Sequence, residues 1–62
     1  MYYQILNGNG QRVAPVTSNP ATANRWANEL EEQLGQSLDV DRVNNENDIE
    51  WPQVDPFTGQ YV

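Results

Sequence analysis

The chemistry open to this chain rests on nine carboxylates and three arginines, because lysine, histidine and cysteine are all absent from its 62 residues. Hydroxyl nucleophiles exist at Thr17, Ser18, Thr22, Ser37 and Thr58, but no histidine or lysine is present to activate them. Paired carboxylates could serve as general acid and base or hold a divalent cation. Asp39, Asp41 and Glu50 do fall at positions one, three and twelve of a calcium-binding loop, yet position five is Val43 and the turn glycine of position six is replaced by Asn44. The glycines of Asn7-Gly8-Asn9-Gly10 are not followed by the lysine and hydroxyl residue of a phosphate loop. A domain of this length also leaves little room for a sugar cleft between two carboxylates. The residues therefore point away from an enzyme, from a bound metal and from any cofactor, and toward binding.

Charge narrows the partner. A formal net charge of −6 opposes direct nucleic-acid binding, which depends on lysine and arginine neutralising phosphates, and disfavours anionic membranes for the same reason. Its complement is a protein partner with a basic surface, although negative charge also serves simply to keep a small protein soluble. If residues 46–50 are extended, Glu46, Asp48 and Glu50 project on one side at about 6.8 Å intervals, and Asp39 and Asp41 repeat that step. Such a ladder imitates successive phosphates and would fit the basic groove of a polymerase or nuclease, with Trp51 and Phe57 as desolvated aromatic anchors. Alternating acids are equally the ordinary pattern of an exposed strand. A second function class stays open beside inhibition by mimicry: a structural or assembly module, a homo-oligomer or a scaffold component, joined through the C-terminal segment.

Elements must position these groups. Residues 2–6 and 12–16 flank two Asn-Gly pairs and predict an antiparallel hairpin with Ile5 and Val13 in the core. A two-residue loop would set Ile5 opposite Ala14, and a three-residue loop would set it opposite Val13. Ser18 or Asn19 as N-cap, Pro20 in the first turn and Gly35 beyond the last predict a helix with Ala23, Trp26, Ala27, Leu30 and Leu34 on its packed face. Trp26 reads as the main core residue. Residues 37–43 alternate through Leu38 and Val40 as a third strand, preferably beside the first. The expected fold class is α+β: a small β-β-α-β domain over residues 1–43, its hairpin and third strand covered by one helix, followed by an irregular acidic tail over residues 44–62. That tail combines four acids and two prolines with Ile49, Trp51, Val54, Phe57 and Tyr61. Folding back on the open sheet face, docking on another chain and disorder are its three open placements.

In this progression, from Tyr3-Gln4-Ile5-Leu6 through Asn9-Gly10 and Arg12-Val13-Ala14 to the helix and third strand, the chain resembles small strand-strand-helix-strand accessory proteins encoded by bacteriophages. In size and acidity it is similar to many anti-CRISPR proteins. The resemblance covers residues 2–43 and implies an inhibitor of a host protein working in the bacterial cytoplasm. It carries no functional residue across. The N-terminus shows no basic region followed by an apolar one, and no apolar run approaches membrane-spanning length.

Overall fold

The computed structural model describes all 62 residues. Its order is strand β1 (Tyr2–Leu6), helix α1 (Pro20–Leu34), strand β2 (Asp39–Val43) and a short 3-10 turn at Glu46–Asp48. The two strands form one antiparallel sheet in which Tyr2 faces Val43, Gln4 faces Asp41 and Leu6 faces Asp39. The topology is thus strand-helix-strand. It corrects the expected strand-strand-helix-strand order, and the resemblance to phage proteins built on that order falls with it.

The reason lies in residues 12–16, which run beside β1 without forming a strand. The turn itself is made: the Asn7 side-chain oxygen accepts from the amides of Asn9 and Gln11, and Gly10 takes a φ of 78°. Beside it Leu6 bridges Arg12 and the Val13 amide donates to the Ile5 carbonyl, which is the register with Ile5 opposite Val13. The next bridge joins Tyr3 to Thr17. From Leu6 back to Tyr3 is three residues and from Arg12 on to Thr17 is five, so two extra residues bulge from the second segment. Pro15 lies in that bulge, where its lack of an N–H costs the ladder nothing. The β2 segment instead occupies the other edge of β1 and supplies the regular ladder.

Asn19 caps α1 by accepting from the amides of Ala21 and Thr22, Pro20 opens the first turn, and Gly35 closes the helix at φ 67° with its amide on the Glu31 carbonyl. Ala23 and Ala27 are the buried helix residues, small enough to bring the helix close to the sheet. Trp26, Leu30 and Leu34 are half-buried and pack against a cluster of Ile5, Val13, Ala14, Ala27, Leu38 and Val54. Trp26 is therefore a flank of the core and not its centre.

Val54 is 1% exposed and joins this cluster from the C-terminal segment. Its amide donates to the Arg12 carbonyl at 2.8 Å, adding a further chain crossing beside residues 12–13. Beyond it the chain turns back on itself: the Asp55 carboxylate accepts from Phe57 and Thr58, the Asp55 amide donates to Gln60, and Val54 bridges Tyr61. No helix is long and apolar enough to cross a membrane.

Candidate functional site

Two buried polar residues, Gln4 at 1% and Arg12 at 2% exposure, organise the site. A buried polar group is tolerated only when its hydrogen bonds are made, and no buried side-chain polar atom here lacks a partner. Gln4 lies on the sheet face opposite to that of Ile5, since successive strand residues alternate. Its side-chain oxygen accepts from the Glu50 amide at 2.8 Å, and its nitrogen donates to the Asp41 carboxylate at 2.9 Å and the Asp48 carbonyl at 3.3 Å. Arg12 Nε donates to the Glu50 carbonyl at 3.0 Å, while one terminal nitrogen donates to the Ala14 carbonyl at 2.6 Å and to Gln53 Oε1 at 3.1 Å. The Ala14 carbonyl is free for this because the bulge takes it out of the ladder. Gln4 and Arg12 thereby grip both backbone groups of one residue, Glu50.

All three Arg12 hydrogen bonds end on neutral oxygens, so burial is not offset by a paired carboxylate, and desolvation lowers its pKa from the ordinary arginine value. The remaining face of the guanidinium meets an aromatic ring. Arg12 Cζ stands 4.3 Å from the Trp51 ring centroid, a cation–π distance. Trp51 is joined to Pro52 by a cis peptide bond and is 69% exposed. A large aromatic is thus held from behind by a buried cation and left open in front.

Trp51 forms one wall of a groove of about 560 Å³ whose lining includes Tyr2, Val16, Thr17, Glu46 and Ile49. Asn45 caps the 3-10 turn that carries Glu46. The Tyr2 hydroxyl donates to Glu46 Oε1 at 3.1 Å, and this hydrogen bond, with the charge of the carboxylate behind it, raises the Tyr2 pKa above 10.0. A second groove of about 320 Å³ beside Trp26 and Leu30 is floored by Val13 and Ala14 of the core.

The seven residues singled out from the sequence are distributed unevenly. Glu46 and Trp51 line the same groove. Asp41 is half-buried and bonded to Gln4, Asp48 and Glu50 are exposed at their side chains but bonded to Gln4 through their backbones, Asp39 is exposed opposite Leu6, and Phe57 is 62% exposed on the turn after Asp55. The supposed ladder of Glu46, Asp48 and Glu50 is not formed. Glu46–Asp48 is a 3-10 turn, rising about 2.0 Å per residue, so its first and last side chains differ by about 4 Å along the axis and project about 120° apart. Extended spacing was the condition for a phosphate-like track, and it fails there. No group of three or more carboxylates is placed to hold a metal ion.

Sequence reasoning missed Tyr2, Gln4 and Arg12. The available signal was Arg12, a cation in a segment otherwise patterned for the core, with Trp51 as an aromatic it could cover. Comparison finds no family model, no curated protein and no solved structure that matches this chain.

Proposed function

We propose that this protein acts by binding another protein, through the face that carries Trp51 and Glu46, against a partner whose own surface is basic. One observation carries the reading: Trp51 is 69% exposed yet fixed on a buried guanidinium, so a large aromatic is presented with little ordering cost left for the binding step. Aromatic residues of this kind dominate interface energetics when desolvated. The net charge of −6 supports a basic partner through steering and selectivity. Docking in a basic groove that serves nucleic acid would make the protein an inhibitor of that partner, in the cytoplasm where such enzymes work.

Trp51→Ala is the discriminating variant, since it removes an exposed ring and leaves the packed cluster intact. The wild type, tagged and incubated with lysate, is expected to retain a stoichiometric basic protein at low salt and to release it at high salt, with Trp51→Ala retaining none. Equal retention by folded Trp51→Ala refutes the reading.

A second reading, self-association through residues 57–62, is favoured by the exposure of Phe57 at 62%, Tyr61 at 72% and Val62 at 81%. Sedimentation equilibrium decides it: a monomer at high protein concentration removes it, and a dimer lost in Phe57→Ser supports it.

A further inference from the structure

We infer that the groove beside Trp51 is a receptor for one cationic side chain, an arginine or lysine projecting from the partner, with Glu46 as its counter-charge. The inference rests on the binding reading above and names what enters the site. The groove's lining holds two aromatics, Tyr2 and Trp51, one carboxylate, Glu46, and no basic residue. Its volume of about 560 Å³ lies within the range of ligand pockets and exceeds a single side chain, leaving room for the flanking backbone. Apolar contact from Ile49 and Val16 suits the methylene stem of arginine or lysine, whose charged head travels on an apolar shaft.

The carboxylate is already oriented. Tyr2 donates to Glu46 Oε1, which fixes the group while leaving the remaining lone pairs for an incoming donor, because an ionised carboxylate offers about four acceptor sites. Arg12 works against the entering charge, since its guanidinium sits 4.3 Å from the Trp51 centroid. It does not line the groove and is 2% exposed, so the opposition comes from behind the ring. Trp51 alone therefore cannot select a cation over a neutral apolar group, and the selectivity falls to Glu46.

Glu46→Gln tests this directly, because the amide keeps a side-chain oxygen for the Tyr2 hydroxyl while removing the charge and exchanging the second acceptor oxygen for a donor. Blocked Gly-Arg-Gly, Gly-Lys-Gly and Gly-Gln-Gly peptides are titrated into the full chain, and the Trp51 indole N–H resonance is followed by NMR. Saturable shifts are expected from the arginine or lysine peptide at millimolar concentration, with none from the glutamine peptide. Glu46→Gln should weaken the cationic peptide about two- to fivefold, as for an exposed ion pair. Equal shifts from all three peptides, no saturable shift from either cationic peptide, or unchanged affinity in Glu46→Gln would each overturn the inference. None of these outcomes bears on partner capture by Trp51, so a groove that takes a neutral side chain remains distinguishable from a protein that binds no partner there.

Discussion

Replacing Arg12 by methionine keeps the length and most of the volume of the side chain and removes every donor. The wild-type guanidinium makes three hydrogen bonds, to Glu50, Ala14 and Gln53, and hydrogen bonds to charged groups contribute about 1.5–3 kcal/mol each. Two corrections reduce the sum. The desolvation cost of the buried charge disappears with it, and the Gln53 side-chain oxygen can turn toward water because that residue is not buried. The Ala14 carbonyl belongs to a residue 4% exposed and has no such escape, so its unsatisfied state carries a penalty of about 1–3 kcal/mol. The net loss is expected to be about 2–4 kcal/mol, against a total stability of about 3–9 kcal/mol for a chain of this length.

Urea unfolding followed by tryptophan fluorescence and circular dichroism measures the loss. With a slope of about 1 kcal/mol per molar urea, the midpoint should fall by about 2–4 M. Arg12→Lys should lie between, since an ammonium can reach one of the oxygens but not all three with a planar fork. Gln4→Leu supplies the internal check. Both residues hold Glu50, so releasing that residue by one substitution removes the purpose of the other, and the double variant should lose less than the two single losses added together. A midpoint shift below about 0.5 M for Arg12→Met, or strict additivity with Gln4→Leu, would refute the assignment of the pair as a joint clamp.

Removing residues 44–62 should abolish the fold, because it takes Val54 out of the core and strips Gln4 and Arg12 of partners; a dispersed NMR spectrum from residues 1–43 would contradict this. Val54→Ala in the full chain should cost about 2 kcal/mol, read from the same urea transition. Gly35→Ala, at a φ of 67°, should cost about 1 kcal/mol, with the thermal midpoint as readout. Tyr2 has a folded pKa raised above 10.0 by Glu46, so the contribution from its neutral form is fully present below about pH 10 and is lost as pH rises through the folded pKa. In ultraviolet titration one tyrosine should ionise late in the wild type and earlier in Glu46→Gln, and an unchanged curve would remove Glu46 as the cause.

The parts of the fold that follow from local rules were legible. Asn19, Pro20 and Gly35 bound the helix through capping and positive φ, because each signal is a property of residues close in sequence; the strand expected over 37–43 is shorter, Asp39–Val43, with Leu38 ahead of it, Val40 exposed and Val43 as its buried residue. The hairpin strand over 12–16 was misread since β-propensity and an Asn-Gly turn indicate that two segments lie side by side, but not that their spacing differs by two residues. That difference is set by Pro15 and by the Tyr3 to Thr17 bridge. Trp26 was overvalued because helix periodicity places a side chain on a face without saying how wide the cover is; the cover over it is partial, and alanines at 23 and 27 take the closest approach. In the site, Glu46 and Trp51 were visible as residue types. Gln4 and Arg12 were not, because a buried polar residue is recognised by its partners, and theirs lie 37 to 46 residues away in the chain, apart from the Ala14 carbonyl.

The same two residues explain how an acidic chain without disulfides can hold an aromatic outward. Apolar burial here is limited to eight residues, three of them alanines, which leaves the last third of the chain anchored in the core mainly through Val54. Hydrogen bonds to backbone groups at Glu50 supply the second anchor, and the residue after Glu50 is Trp51. Stability and presentation of the ring are consequently coupled: substitutions of Arg12 should weaken partner binding even though Arg12 does not line the groove, because the ring loses both its stacking partner and the fixed backbone behind it. Trp51→Ala should separate the two properties, with a stability within about 2 kcal/mol of wild type, the size of a cation–π contact to a desolvated guanidinium, and binding abolished. If Arg12→Lys keeps wild-type binding while its stability falls, the ring is positioned by Pro52 and its own backbone, and the guanidinium holds the fold alone.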